Sequence, residues 1–282
     1  NSSCDSTSPS TSSMHPPKLG MGCNSSAGRS KARPLGIATQ NVCGISEEKL
    51  CYLEGMQKDI FALTELHSDL STSRTAAVLG KRLVTCGKVN TTTDKAAGVA
   101  LLLSPRCAAA LGDSGTLDSS NSSCARICWA RIDASPAPIF AVAVYWPHSR
   151  RTQAPFREDT ANALMELLDA KVKKNDAVII LGDFNSRLAR NDTGYCGPYT
   201  PHARPDDGGV LMRELMSRYQ LRAANTYFQP TRTDARNTGA ATYCQSKSYI
   251  QPPNQRYNAD QAPSVIDYIL VLRRFFTVRI LS

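Results

Sequence analysis

The stretch Ile179-Ile180-Leu181-Gly182-Asp183-Phe184-Asn185 decides how the rest of the chain is interpreted. Its apolar residues follow the polar segment 173–176, and a short apolar run of this kind predicts a buried strand. The strand ends on a carboxylate, Asp183, and a carboxamide, Asn185, which are two residues apart and therefore lie on one face. Such a strand end can hold a reacting group, although an aspartate at the tip of a strand more often caps a turn.

The composition indicates a globular protein with a basic surface. The chain has 282 residues, of which 41% are hydrophobic, and this is enough for a sizeable core. The net charge is +9, carried largely by arginines in the second half: Arg150, Arg151, Arg187, Arg190, Arg204, Arg213, Arg218, Arg222, Arg232 and Arg236. Guanidinium groups suit a polyanion such as nucleic acid, but a solvated basic surface explains the charge equally well.

Cysteine usage and hydropathy indicate an intracellular protein. The ten cysteines include no CxxC pair and no cysteine-histidine run with zinc spacing, so we expect free, mostly buried thiols. No apolar run approaches the roughly 20 residues that span a bilayer, so no membrane partner is expected. Residues 1–33 are rich in Ser, Thr, Pro, Gly and Asn, which predicts a disordered tail before a domain at 34–282.

The order of the predicted elements favours an α/β or α+β sandwich. The domain opens with a strand at 35–42, a helix that Ser46 caps, and a strand at 59–65, and this β-α-β unit predicts parallel pairing. The middle section predicts antiparallel strands at 82–86, 98–103, 125–132 and 138–145, separated by turns at 114–115 and 133–136. Helices follow at 157–174 and 210–219, with short strands at 221–224, 241–244, 265–271 and 275–280. Mixed sheets covered by helices are the expected result.

Polar residues recur where these strands end. Asn41, Glu65 and Tyr145 each stand at the end of an apolar run, as Asp183 does, whereas Asp267 lies inside the run Val265–Leu270. Ligand sites in layered α/β folds gather at such ends. Each residue also has a purely structural interpretation, as a turn, a cap, a core residue or, for Asp267, a structural hydrogen-bonding group.

The motif order resembles that of a known family. The segments, in order, are Gln40-Asn41-Val42, Thr64-Glu65, Gly98-Val99-Ala100, Val144-Tyr145-Trp146-Pro147, Gly182-Asp183-Phe184-Asn185, Asn225-Thr226-Tyr227-Phe228 and Ile266-Asp267-Tyr268-Ile269. Together they resemble the endonuclease/exonuclease/phosphatase superfamily, and most of all its apurinic-type endonucleases and the endonuclease domains of non-LTR retrotransposons. The resemblance runs from about residue 35 to 272. It implies a four-layer sandwich, with two mixed sheets between helices and the active site at one rim.

The resemblance also implies a role for each site residue. Glu65, helped by Asn41, would bind a divalent cation, Mg²⁺ or alternatively Mn²⁺, and such hard cations take oxygen ligands. Asp183 would orient or deprotonate the attacking water. Asn185 and Tyr145 would donate hydrogen bonds to the phosphate. Asp267 would orient a histidine.

The implied partner is DNA, either duplex or a nicked or distorted form, in the nucleus, and no protein partner is implied. Arg187, Asn225 and Tyr243 are the predicted contacts to nucleic acid, since arginine suits phosphates and an aromatic ring can stack on a displaced base. The family places its histidine in an Asp-His pair beyond the strand of Asp267, but this chain has no histidine after His202. We therefore expect a truncated C-terminus that lacks a closing segment and leaves a sheet edge unpaired.

Three functions remain open from the sequence. The first is a metal-dependent endonuclease of the retrotransposon type, impaired in this form by the absent histidine. The second keeps the fold but acts on phosphomonoesters or phospholipid headgroups, because a fold does not fix function. The third is a catalytically dead remnant that binds nucleic acid. DNA binding that weakens steeply with salt separates the first from the second.

Overall fold

The computed structural model describes residues 34–67, 82–85, 98–118, 123–148, 154–190, 192–200, 202–228 and 266–275. Within these residues the helices are α1 Glu47–Gly55, α2 Pro105–Ala109, α3 Ala154–Lys171 and α4 Asp207–Arg218. The strands are β1 Ile37–Asn41, β2 Ile60–Thr64, β3 Arg82–Thr85, β4 Val99–Leu103, β5 Leu111–Thr116, β6 Ile127–Ile132, β7 Ile139–Tyr145, β8 Ala177–Asp183, β9 Leu221–Ala223 and β10 Asp267–Leu272. Single turns of 3₁₀ helix occupy Ala224–Tyr227 and Arg273–Phe275.

The described strands form two mixed sheets, as the sequence predicts. Sheet A has four strands in the order β1-β2-β4-β3, and β1 and β2 pair in parallel, which confirms the predicted β-α-β unit. Sheet B has six strands in the order β5-β6-β7-β8-β10-β9. In sheet B only β7 and β8 pair in parallel among the described strands, and α3 is the crossover between them. A parallel pair needs such a long connection, because a tight turn cannot join strands that run in the same direction.

The core consists of three apolar layers, and the strands supply them by alternation. In β2, Ile60 and Ala62 face sheet B, while Phe61 and Leu63 pack on α1. In sheet B, Val142 belongs to the layer beneath α3 and α4. Successive strand residues point to opposite faces, so a strand that is buried on both faces is apolar throughout. The result is the expected four-layer arrangement of helix, sheet, sheet and helices.

Helix α3 begins and ends three residues earlier than the predicted 157–174, since it spans Ala154–Lys171. The reason for the early end is Asp176, whose Oδ2 accepts the backbone N–H of Lys173 at 2.7 Å and so turns the chain out of the helix. The same carboxylate accepts two hydrogen bonds from the buried Arg131, at 2.5 and 2.6 Å. Lys173 and Lys174 therefore lie beyond the helix.

Other differences concern the short elements. The predicted turn at Ser114-Gly115 is wrong, because these residues belong to β5 and pair with Ala130 and Trp129 of β6. Helix α2 was not predicted, and Ser104 caps it by accepting the backbone N–H of Cys107. Helix α4 begins at Asp207, three residues before the predicted start.

Two further predictions can be compared with the structure only in part, because some of their residues lie outside the described ranges. The last predicted strand is wrong at Phe275, which ends a 3₁₀ turn. The rest of that strand, the strand at 241–244 and the tail at 1–33 lie outside the described residues, and the predicted domain boundary stays a prediction. Three of the six described cysteines are buried, namely Cys107, Cys128 and Cys196. In the described part of the chain no helix is both long and apolar enough to cross a membrane.

Candidate active site

The polar residues at the strand ends meet at one rim of the sandwich. Asp183 ends β8, opposite Tyr145 of β7 on one side and Asp267 of β10 on the other. Asn41 ends β1 in sheet A, and its Nδ2 donates a 3.2 Å hydrogen bond to Oδ2 of Asp183 in sheet B. Glu65 follows β2 directly. The structure therefore brings together residues that are up to 226 positions apart in the sequence.

Asp183 is the most enclosed carboxylate of this rim, with 2% of its surface exposed. Its Oδ1 accepts the backbone N–H of Asn185 at 2.8 Å. Burial raises the pKa of Asp183 well above its usual value, and the charges of Asp267 and Glu65 act in the same direction. The hydrogen bonds from Asn185 and Asn41 oppose this shift but do not cancel it. Asp183 is thus a buried acid whose charged form is disfavoured by burial and by the neighbouring carboxylates.

The position of Asp183 depends on the residue before it. At Gly182 the φ angle is +155°, and a Cβ atom built there would lie 1.8 Å from the carbonyl oxygen of Val144. No side chain fits in that space, so only glycine allows β8 to approach β7 this closely. The Gly-Asp step of the motif is therefore a packing requirement as well as a chemical one.

Asn185 is held by the segment that follows Tyr145. It adopts a positive φ of 44°, a conformation that asparagine tolerates better than most residues. Its Nδ2 donates a 2.7 Å hydrogen bond to the carbonyl oxygen of Trp146. The backbone N–H of Trp146 in turn donates to the carbonyl oxygen of Asp183 at 2.8 Å. These bonds fix the Asn185 carboxamide against the segment that follows Tyr145. Because β8 ends at Asp183, the alternation of strand faces does not extend to Asn185.

Glu65 and Tyr145 lie together at the junction of the two sheets. The Glu65 side chain is only 12% exposed, and its Oε2 is 3.5 Å from Nε2 of His67. Burial raises the pKa of the Tyr145 hydroxyl, and the neighbouring charges of Glu65 and Asp183 raise it further. Tyr145 is therefore protonated at neutral pH and can donate a hydrogen bond. Its hydroxyl is also 3.4 Å from Nε2 of His148.

Asp267 occupies the first position of β10, so the prediction that it lies inside a strand beginning at residue 265 is wrong by two residues. It pairs with Asp183 across the two antiparallel strands. Asn225 holds this strand start: its Nδ2 donates to the carbonyl oxygen of Asp267 at 3.0 Å, and its Oδ1 accepts the N–H of Ile269 at 3.1 Å. The amide of Asn225 thus extends the hydrogen bonding of β10 beyond β9.

Of the three residues predicted to contact nucleic acid, the structure describes Arg187 and Asn225. Arg187 is half-buried on the loop after Asn185, and its backbone N–H donates to Oδ1 of Asp206 at 3.0 Å. Asn225 lies at the rim, but both ends of its amide bind the β10 backbone. Tyr243 lies outside the described residues.

Sequence reasoning missed three residues that shape this rim. Cys43 donates from its backbone N and its Sγ to Oδ1 of Asn41, at 3.0 and 3.3 Å. Trp146 accepts the Asn185 amide through its carbonyl oxygen. Arg157, on the first turn of α3, is 3% exposed and lies beneath the segment that follows Tyr145. The only available signals were local: two aromatic residues at a strand end, and an arginine on the apolar side of a helix.

The donor atoms of the rim fit a hard divalent cation. Glu65, Asp183 and Asp267 supply carboxylate oxygens, the ligands that Mg²⁺ prefers. Oδ1 of Asn41 accepts two hydrogen bonds from Cys43 and would have to release one of them to bind a cation. Among the described residues no group of three or more His, Cys, Asp or Glu side chains is arranged as a ready metal cage. Mg²⁺ does not need one, since it binds through one or two carboxylates and keeps several waters.

This fold is that of a family of phosphoester hydrolases. The model of the endonuclease/exonuclease/phosphatase family matches residues 38–279, and the chain belongs to this family. The resemblance seen in the sequence is thereby confirmed. Members of the family are hydrolases that act on phosphodiester bonds, and its nucleases generally use divalent metals.

Solved structures with the same fold include DNA-processing enzymes. A variant of the 3′ phosphatase NExo from Neisseria, bound to a product DNA hairpin, has a TM-score of 0.58 and 18% identity over 86% of this chain and 88% of that one. The catalytic domain of Xenopus laevis APE2 has a TM-score of 0.59 and 18% identity over 85% and 83%. An AP endonuclease from Archaeoglobus fulgidus has a TM-score of 0.57 and 16% identity over 84% and 86%. No curated protein sequence matches the chain.

Proposed function

We propose that the protein is a divalent-metal-dependent phosphodiesterase that cleaves the DNA backbone, an endonuclease of the retrotransposon type. The observation that carries this proposal is the hydrogen bond from Asn41 to Asp183, which joins the two sheets at the rim where Glu65 and Tyr145 also lie. The proposal assigns metal binding, water activation and phosphate binding to the neighbouring Asn41, Asp183 and Tyr145 respectively.

Asp183 is the base in this mechanism. Each of its carboxylate oxygens accepts one hydrogen bond, from Asn185 and from Asn41, and each keeps a second lone pair for a water. A carboxylate whose pKa is raised is a stronger base once it is ionised. It takes a proton from the water as the water oxygen bonds to phosphorus and the bond from phosphorus to the leaving sugar oxygen breaks. Solvent returns a proton to that oxygen.

Tyr145 and Asn185 stabilise the charge that develops on the phosphate. The Tyr145 hydroxyl is protonated at neutral pH, as a tyrosine ordinarily is, and burial raises its pKa further, so it donates rather than repels. Asn185 uses one Nδ2 hydrogen on Trp146 and keeps the other for a phosphate oxygen. A Mg²⁺ or Mn²⁺ ion held by Glu65 and Asn41 would supply positive charge to the phosphate. Asp267, which pairs with Asp183, would orient a histidine, as the family resemblance implies.

The basic loop after Asn185 favours DNA as the substrate. Arg187 is half-buried on this loop, and Arg190 and Arg204 are exposed on it. Guanidinium groups beside an acidic rim suit the flanking phosphates of a nucleic acid, and this electrostatic contribution makes binding salt-dependent. A small phosphomonoester has no flanking phosphates that these arginines could bind. The proposed substrate is duplex DNA, including nicked or distorted forms, and the proposed location is the nucleus.

Nicking of supercoiled DNA tests this function. The protein with Mg²⁺ is expected to nick the plasmid, EDTA to stop it, and Glu65→Ala and Asp183→Ala each to abolish it. Glu166→Ala, which removes an exposed acid on α3, is the matched control and should nick normally. Hydrolysis of phosphomonoesters without nicking would contradict the proposal in favour of a phosphatase. Salt-sensitive DNA binding without any metal-stimulated cleavage would contradict it in favour of a binding protein.

A further inference from the structure

Arg157 is a buried cation that the proposed chemistry does not use. It stands on the first turn of α3 and is 3% exposed. Burial lowers the pKa of its guanidinium, and the charges of Asp206 and Asp207 only partly oppose this. No salt bridge joins Arg157 to a carboxylate in the described part of the chain, whereas Arg131, which is also buried, binds both carboxylate oxygens of Asp176 through Nη1. Burying a cation without such a pair is costly.

The guanidinium binds the segment that carries Tyr145. Its Nε donates a 3.2 Å hydrogen bond to the carbonyl oxygen of Pro147. The neighbouring Trp146 accepts the amide of Asn185 through its own carbonyl oxygen, at 2.7 Å. Two consecutive carbonyl groups of this segment are thus held from two sides, one by Arg157 and the other by Asn185. A shift of the segment would move Tyr145 and Asn185 together.

The same guanidinium lies close to the start of α4, which in turn lies close to Ser186 in the loop after Asn185. A Cβ atom built on Gly208 at the start of α4 would lie 2.6 Å from Nη1 of Arg157 and 2.1 Å from Oγ of Ser186. Gly208 therefore leaves no room for a methyl group between itself and the side chains of Arg157 and Ser186. Asp206, which caps α4, joins the same loop, since its Oδ1 accepts the N–H groups of Arg187 at 3.0 Å and Gly209 at 2.8 Å.

We propose that Arg157 is a positioning residue that fixes the Asn185 loop against the Tyr145 segment. Its guanidinium lies where residues 145–147, 185–187 and 206–209 converge, so it determines the separation of the two phosphate-binding side chains. This inference rests on the proposed function for its catalytic consequence, but the structural claim stands separately. A misplacement of about 1 Å at a reacting centre lowers the rate roughly 100-fold.

The first experiment separates positioning from stability. Arg157→Met and the milder Arg157→Lys are compared with Arg131→Met and Arg131→Lys, which alter a buried arginine beside Asp176 at the other end of β8. Both Arg157 variants are expected to lower the single-turnover cleavage rate by roughly 10- to 100-fold, while the Kd for DNA changes by less than about threefold. The Arg131 variants should melt at lower temperature but cleave at the wild-type rate while folded. Added guanidinium ion, far below denaturing concentrations, should partly restore Arg157→Met.

The inference would be overturned if both Arg157 variants cleaved DNA at the wild-type rate. It would also be overturned if the loss of cleavage rate simply followed the loss of melting temperature in all four variants. The second experiment does not depend on turnover. Hydrogen exchange should be faster in Arg157→Met at the amides of Asn185, Arg187 and Gly209, and unchanged at these amides in Arg131→Met. If the wild-type protein cleaves no DNA, the proposed function fails. The exchange rates of these amides then test by themselves whether Arg157 fixes the loop. Unchanged exchange there in Arg157→Met would refute it.

Discussion

Asp183 and Asp267 face each other as a register pair across the antiparallel strands β8 and β10. Their side chains share one face of the sheet, and both are buried, at 2% and 8% exposure. Like charges directly opposite each other destabilise a sheet. After burial, the charge of Asp267 is the largest cause that raises the pKa of Asp183. The site concentrates negative charge that a divalent cation would offset.

A divalent cation is therefore expected to stabilise the protein. At about 100 times its Kd, a ligand that binds only the folded state adds about 2.7 kcal/mol to the free energy of unfolding. Thermal unfolding with and without Mn²⁺ measures this, and Glu65→Gln should lose most of the gain. Glu166→Gln should keep it. An equal gain in all three proteins would mean that the cation binds elsewhere.

The Asp59–Arg106 pair predicts an acid-sensitive contribution to stability. Hydrogen bonds from Arg106, the nearest at 2.5 Å, lower the pKa of Asp59 to about 2, below its ordinary value of 3.8. A carboxyl group with a lowered pKa stabilises the fold above its unfolded-state pKa, and the contribution disappears as the pH falls through the folded-state value.

The corresponding variant is Asp59→Asn, measured by urea unfolding as a function of pH. It should cost about 1–3 kcal/mol at pH 7, because Arg106, Ser104 and the Gly36 N–H lose a charged acceptor. The difference from the wild type should shrink between pH 4 and pH 2. A difference that stays constant over this range would contradict the assignment.

Gly182→Ala is expected to prevent normal folding. Its Cβ would lie 1.8 Å from the carbonyl oxygen of Val144, so β8 and β7 would have to separate beside Asp183. We expect a cost of about 3 kcal/mol or more, seen as insoluble or easily denatured protein. Gly194→Ala is the matched control, because a Cβ there meets nothing within 4 Å. Equal stability of the two variants would show that the close approach is not required.

Asn225→Ala is expected to loosen the start of β10. It removes both the donor to the carbonyl oxygen of Asp267 and the acceptor for the N–H of Ile269. The expected loss is about 1–2 kcal/mol in urea unfolding. Asn162→Ala, an exposed asparagine on α3, should have no effect. If Asn225→Ala weakens DNA binding without any loss of stability, Asn225 contacts nucleic acid directly, as the sequence first suggested.

The long elements and the rim were predictable because they depend on local patterns. Strand β8 is apolar throughout and ends in Gly-Asp, so both its burial and its polar tip are visible in the sequence. The family motifs then placed Asn41, Glu65 and Tyr145 on the same rim. Parallel pairing of β1 and β2 followed from the helix between them.

The missed features depend on contacts between distant parts of the chain. The early end of α3 reflects Asp176, which binds Arg131 from β6, 45 positions away. The amide of Asn225 donates to the carbonyl oxygen of Asp267, which lies 42 positions away in the sequence. Arg157 falls on the apolar side of its helix in the sequence, but only the packed structure shows that its guanidinium binds the carbonyl oxygen of Pro147. No periodicity or propensity encodes such pairings.

The central claim is that Asp183 activates water at a metal-dependent phosphodiesterase site. The most direct measurement is the single-turnover rate at which a labelled DNA duplex is cleaved with Mg²⁺, for the wild type and Asp183→Asn, with the Kd for the duplex measured on the same samples. The account predicts a rate roughly 100- to 10,000-fold lower in Asp183→Asn at a nearly unchanged Kd, because the variant loses only its base. An undiminished rate in Asp183→Asn would contradict it.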